Sequence, residues 1–161
     1  MAFTLDPEET LEHLRTVQTA FIDSSSIIYA KKAGVLHPLS AMLRLLTVSG
    51  VVAEVGTEVP GIVIAEGANR DLSVDDQLVN LAVRDQIPVV SEDRKLLMKA
   101  DERGIHGYNM LVMLELLLLR DRISPPEWDR FRKRLLAAAH YSARVVHAGL
   151  ELHWAVRKEV S

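Results

Sequence analysis

Four acidic residues, Asp23, Glu54, Asp75 and Asp93, stand where carboxylates from separate segments can meet. Asp23 follows the apolar run Thr19–Ile22, and Asp93 closes Pro88-Val89-Val90-Ser91-Glu92-Asp93. Asp75 lies in the helix start Ser73-Val74-Asp75-Asp76, and Glu54 lies in the short segment Ser49–Val55. Mg²⁺ and Mn²⁺ prefer oxygen ligands. Two such ions held roughly 3.5–4 Å apart activate a water and stabilise charge on a phosphate, which is what phosphodiester cleavage needs. No single helix or strand surrounds an ion, so the ligands must come from different elements. Taken singly, each acid has an ordinary reading: a cap or dipole partner for Asp75 and Asp76, a turn former for Asp93, a solvated residue for Glu54. The joint arrangement is what points to a metal-assisted hydrolase.

The elements that must position these acids follow from periodicity and punctuation. The first eighteen residues read as a short polar helix with Leu11, Leu14 and Val17 on one stripe. Thr19–Ile22 reads as a buried strand, followed by a serine-capped turn and a helix closing near Gly34. Pro38 begins a helix with Leu39, Met42, Leu43 and Leu46 on one side, and Leu46–Val48 turns strand-like. Ser49–Val55 is a short helix presenting Glu54, and Ile62–Ala65 a small strand between Pro60-Gly61 and Gly67. Ser73 caps a helix to about Asp85, with Asp75 and Asp76 near its positive end. Pro88–Val90 is a short buried strand, Arg94 to about Arg103 a helix stopped by Gly104, Ile105–Tyr108 a strand and Asn109–Leu119 a helix. Ser124-Pro125-Pro126-Glu127 opens a last helix or helix pair reaching about Lys158. This alternation predicts an α/β three-layer sandwich, a central mostly parallel sheet of four or five strands flanked by helices, with a C-terminal helical extension. Functional residues of such sheets sit at the carboxyl ends of strands, where Asp23 and Asp93 fall.

The totals set the remaining bounds. A chain of 161 residues suits one domain, and 48% hydrophobic residues suit a globular one. Cysteine is absent, which excludes disulfides, zinc–thiolate sites and a thiol nucleophile, and fits a cytoplasmic setting. Met110–Leu119 is too short to cross a membrane, and the acidic start is unlike a signal peptide. The net charge of −3 argues against a nucleic-acid-coating role. It is compatible with a carboxylate site whose field a bound cation reverses.

Phe21-Ile22-Asp23-Ser24-Ser25-Ser26-Ile27-Ile28 resembles the first strand and turn of PIN domains, where an Asp is followed by Ser or Thr and aliphatic residues. Val74-Asp75-Asp76-Gln77-Leu78-Val79-Asn80-Leu81-Ala82 is similar to the family's central helix. Val89-Val90-Ser91-Glu92-Asp93-Arg94-Lys95-Leu96 is similar to its next strand and fourth acidic position. Gly104-Ile105-His106-Gly107-Tyr108-Asn109 with the aliphatic helix after it is similar to the last strand and helix. The resemblance spans roughly Thr19 to Leu119. It divides the chain into an N-terminal helix (1–18), a PIN-like domain (19–122) and a C-terminal helical extension packed on that domain (123–161).

The resemblance implies a metal-dependent endoribonuclease with Mg²⁺ or Mn²⁺ as cofactor and RNA as substrate. It places catalytic and metal-binding roles on Asp23, Glu54, Asp75 and Asp93. Asp76 competes with Asp75, which spacing to Leu78 and Ala82 favours, and Glu58 is an alternative to Glu54. Ser25 and Ser91 would assist by hydrogen bonding. Glu92 stands where the family commonly carries Ser, Thr or Asn, as a fifth acid or an outward residue. Phosphate positioning falls to Arg94 and Lys95, with Arg130, Arg132, Lys133 and Arg134 read instead as a solvated helix face. Many small stand-alone members are toxins, so an antitoxin or another protein partner is implied, and the aliphatic run Leu111–Leu119 leaves a homodimer open. The long extension after Ser124 is unusual for a minimal toxin. The rival reading is a catalytically weak or inactive PIN-like module that binds RNA or protein. An aspartyl-phosphate phosphatase is a third, disfavoured because Ser25 stands where a second Asp is usual. His140, His147 and His153 read as surface or packing residues on one final helical segment, and Trp128 and Trp154 as packing residues.

Overall fold

The computed structural model describes residues 6–57 and 59–160. Glu58 therefore lies outside the described residues. Helix α1 (Pro7–Leu14) is capped by Asp6, and strand β1 (Thr19–Ile22) leads into α2 (Ser24–Ala33). Then come α3 (Leu36–Met42), β2 (Arg44–Thr47), α4 (Ser49–Val55), β3 (Ile62–Ile64) and α5 (Val74–Asp85). The chain continues with β4 (Val89–Val90), α6 (Arg94–Glu102), β5 (Gly107–Tyr108), α7 (Met110–Leu119), α8 (Pro125–Ala138) and α9 (Ala143–Val160).

The five strands form one all-parallel sheet in the order β3-β2-β1-β4-β5. Parallel strands need crossover helices, which cover both faces and make a three-layer α/β sandwich. The connections from β1 run outward to β2 and β3, then the chain crosses back to place β4 on the other side of β1. The reversal puts a topological switch point between the carboxyl ends of β1 and β4, where such sheets form their ligand crevice. Ile22 pairs with Val90 there, so the residues that follow, Asp23 and Ser91, emerge side by side.

Two local readings are corrected. The α2 cap is Asp23 itself, whose side chain accepts from Ser26 N–H. The serine turn lacks that role because Ser24 is already helical. Helix α3 starts at Leu36 rather than Pro38, and Leu46 lies in β2. The spacing Leu39, Met42, Leu43, Leu46 mimics a helical stripe across a helix–strand junction because both elements bury apolar residues in the same core.

That core is continuous from Leu11 and Leu14 of α1, through Phe21, Ile22, Leu45 and Val89 of the sheet, to Leu135, Leu152 and Val156 of α8 and α9. Helix α7 is its axis, with Met110 through Leu118 all buried. Helices α8 and α9 pack on it, α8 also on α2, and α9 also on α1. The Arg120 guanidinium donates to the carbonyls of Leu14 and Val17, tying the end of α7 to α1. Glu115, 3% exposed, is the one acid inside α7. It accepts from Trp128 Nε1 of α8 at 2.7 Å and pairs with His153 Nδ1 of α9 at 2.8 Å. The indole and imidazole stack with centroids 3.7 Å apart. Buried polar groups persist when paired in this way. Among the histidines, His147 meets Glu151 at 2.9 Å on the surface, and His140 lies between α8 and α9. The three therefore do not share one helix. Trp128 packs inside, but Trp154 stands 63% exposed, contrary to its reading as a packing residue. No helix among the described residues is long and apolar enough to cross a membrane.

Candidate functional site

Asp23 directly follows the carboxyl end of β1, at the switch point of the sheet, and is 5% exposed. Its carboxylate accepts from Ser26 N–H at 3.0 Å, from Ser25 Oγ at 3.0 and 3.1 Å, and from Ser91 Oγ at 2.5 Å. Burial raises its pKa, and these donors oppose the rise by favouring the charged form. Ser91 also accepts from Asp93 N–H at 2.9 Å, so one buried hydroxyl links the ends of β1 and β4. Asp93 caps α6, its Oδ1 accepting from Lys95 N–H at 2.8 Å. Lys95 thus enters the site through its backbone. Glu54, on α4, accepts from Ser24 Oγ at 2.6 Å.

Asp75 sits in the first turn of α5, partly buried. Its pKa is raised first by burial and then by the charges of Asp93 and Asp23, with a smaller push from Glu54 and an opposing pull from Lys99. The four acids from β1, α4, α5 and β4 thus share one electrostatic neighbourhood. Asp76 turns elsewhere: it accepts from Lys99 Nζ at 2.9 Å, and that bond with the Ser73 contact lowers its pKa. Close packing brings α4 to this edge, since a Cβ on Gly50 would lie 2.6 Å from Val74 Cγ2.

Shared neighbourhood is not coordination. Among the described residues no three acidic or imidazole side chains stand close enough together to hold a metal ion. The reason is local: Asp23 is held by three serines, Glu54 by Ser24 and Asp93 by its own helix cap. The donor chemistry nonetheless suits a hard cation, because carboxylate oxygens are its preferred ligands and the repulsion felt by Asp75 is what a cation relieves.

Glu92 does not point outward. It turns in toward α7, where Oε1 accepts from Met110 N–H at 2.7 Å, and burial pushes its pKa up to about 7. Strand parity carries no signal here, because both β4 residues before it are buried. The hydroxyls of Tyr141, from the α8–α9 connection, and of Ser26 lie against this carboxylate and, as hydrogen-bond donors, oppose part of that rise. Glu92 Oε2, Tyr141 OH and Ser26 Oγ are all buried. Nothing in the sequence announced Tyr141, which reaches the site only through the packing of the two last helices. Three cations of α8 have partners in their own helix: Lys133 meets Asp129 at 2.9 Å, Arg130 approaches Glu127 at 4.0 Å, and Arg132 lies over the Trp128 ring.

No family model, curated protein or solved structure matches the chain.

Proposed function

We propose that the protein is a PIN-like, metal-dependent endoribonuclease acting at the β1–β4 switch point. The observation that carries this reading is Asp75, whose proton affinity is raised first by burial and then by the charges of Asp93, Asp23 and Glu54 from three other elements. Like charges gathered at the ligand crevice of a parallel sheet are costly for stability and useful for function. Asp23, Asp75, Asp93 and Glu54 would hold Mg²⁺ or Mn²⁺, and the bound ion supplies an acidified water and charge stabilisation on the phosphate. The chain's own groups do the rest. Ser91 sets the Asp23 carboxylate and the Asp93 backbone relative to each other. Ser24 orients Glu54, and Lys99 draws Asp76 out of the acid row. Arg94 and Lys95, at the start of α6, stand beside Asp93 to meet the phosphate backbone.

The test is cleavage of single-stranded RNA with and without Mg²⁺ or Mn²⁺. Metal-dependent cleavage abolished by Asp23→Ala and by Asp93→Ala is the expected result. Metal-independent cleavage, or cleavage indifferent to both substitutions, sinks the reading.

The wide placement of the carboxylates, with no three within holding distance among the described residues, favours a second reading: a PIN-like module that binds RNA or a protein partner without cutting. RNA binding that survives both substitutions, without cleavage under any divalent ion, selects it. A toxin role and an antitoxin partner are proposals that follow from the family resemblance, a homodimer is one raised by the aliphatic run Leu111–Leu119, and a cytoplasmic setting one raised by the absence of cysteine.

A further inference from the structure

The C-terminal extension reaches back to the candidate site. A cavity of about 300 Å³ lies between the starts of α6 and α7 and the connection from α8 to α9. Arg94, in its lining, directly follows Asp93, so the cavity adjoins the acid row. His140, Ser142 and Arg144 line it from the extension. Its volume, at the lower end of ligand sites, takes a phosphate and the sugar attached to it.

The lining is cationic and rich in donors. Arg144 makes no ion pair or hydrogen bond among the described residues, although Glu92 lines the same cavity. The Glu92 carboxylate is committed elsewhere: it accepts from Met110 N–H and lies against the Tyr141 and Ser26 hydroxyls. The Ser142 oxygen accepts from Val145 N–H at 3.3 Å, which leaves its own O–H to donate. Asn109 Oδ1 accepts from Val112 N–H at 3.0 Å, which leaves its Nδ2 donors. Two cations of the α5–α6 side are already engaged, Lys99 with Asp76 and Arg103 with Asn80. A guanidinium among hydroxyl and amide donors selects an oxyanion, and its planar fork matches two phosphate oxygens. The acid row repels each phosphate of a strand that a metal does not neutralise, so a strand lying there needs a cation beside its flanking phosphate.

We infer that Arg144, with His140 and Ser142 beside it, forms a phosphate subsite that holds the RNA strand next to the acid row. The subsite grips a backbone phosphate flanking the one at the acids, and it reads no base. It gives the C-terminal extension a task in substrate binding that the sheet and its crossover helices do not perform. The inference rests on the ribonuclease reading for the identity of the ligand.

The experiment is fluorescence anisotropy of the full chain with a short labelled oligouridylate in metal-free buffer, over a series of salt concentrations. Arg144→Ala, at an exposed position, is expected to weaken binding about tenfold at low salt, the loss of one charged hydrogen-bonded contact. The slope of log affinity against log salt falls in magnitude by about 0.7, the share of one single-strand phosphate. Arg144→Lys keeps the slope and loses part of the affinity, because an ammonium is a point charge without the fork. Oligoadenylate shows the same loss. Arg122→Ala removes an equal charge just beyond the far end of α7 and leaves the slope as it is in the parent. An unchanged slope in Arg144→Ala, an equal fall in Arg122→Ala, or no strand binding by the parent overturns the subsite. Calorimetric titration with inorganic phosphate separates the sources of the anion. Phosphate bound through Arg144, with strand affinity indifferent to Arg144→Ala, marks a free-anion site and overturns the strand subsite. Because this binding needs neither metal nor Asp23, the two readings fail separately. Cleavage that depends on Asp23 and Asp93, with the slope unchanged in Arg144→Ala, sinks the subsite alone. Arg144-dependent strand binding without cleavage sinks the nuclease alone.

Discussion

The Ser91 hydroxyl donates to Asp23 Oδ2 at 2.5 Å across the seam between β4 and β1. It joins the two strands at the point where the sheet topology reverses. Ser91→Ala leaves a buried carboxylate short of one donor, so stability at neutral pH falls by about 1–3 kcal/mol. The deficit shrinks on acidification, because protonated Asp23 needs that donor less. Urea unfolding at neutral and acid pH, with unchanged m-values, checks both parts.

Asp75 gives the opposite sign. Its folded pKa lies above the unfolded value of 3.8, so the unfolded chain releases the proton first and stability falls as pH rises through that window. Asp75→Asn therefore raises the melting temperature at pH 7 in metal-free buffer, with the gain vanishing below about pH 3.8. Added Mn²⁺ raises the melting temperature of the parent and of Asp76→Ala, but not of Asp75→Asn. Equal Mn²⁺ responses in all three proteins remove Asp75 from the candidate ligands.

Glu92 provides the pH dependence of larger size. Its side chain loses a proton near 4.5 in the unfolded chain and near about 7 in the folded one. Stability therefore declines by roughly 3 kcal/mol as pH rises from 4.5 to 7. Glu92→Gln flattens that slope, which a series of denaturation curves without divalent ions measures.

Gly50 bears on geometry rather than charge. An alanine there drives a methyl into Val74 and shifts α4 from the start of α5, costing about 1–3 kcal/mol. The shift moves Glu54 relative to Asp75, so Mn²⁺-dependent stabilisation drops in parallel with the thermal stability. A full Mn²⁺ response in Gly50→Ala shows that Glu54 is not a ligand.

Much of this arrangement was legible in one dimension. Apolar runs that stop at Asp23 and just before Asp93 mark strand ends, and Ser73 and Ser124 announce their helices by cap chemistry. The bounds Ser49–Val55 agree at both ends. What stayed hidden depends on contacts between distant segments. Glu92 gave no inside-or-outside signal because parallel strands are covered on both faces. Glu115 looked like an interruption of an aliphatic run, and its partners Trp128 and His153 arrive from two later helices. The distance between carboxylates depends on which serine holds which oxygen, and periodicity does not encode that.

Glu115 is correspondingly vulnerable. Glu115→Ala strands a buried imidazole and an indole N–H without their partner, and costs about 1–3 kcal/mol for each unsatisfied group. Glu115→Gln, which keeps an acceptor for the indole, costs less. Thermal unfolding of both variants ranks them, and equal losses refute the pairing as a source of stability.

Helix α7 is buried from Met110 to Leu118 on every side, and α8 and α9 supply part of that cover. During synthesis this helix emerges before the residues that enclose it, since chains grow from the amino end at about 5–20 residues per second. The nascent chain therefore carries a bare leucine-rich helix for several seconds, until Val156 has left the ribosome. Ribosome-bound chains stalled after α7 has cleared the exit tunnel, but before α8 and α9 have, are the natural clients of a chaperone that grips aliphatic segments.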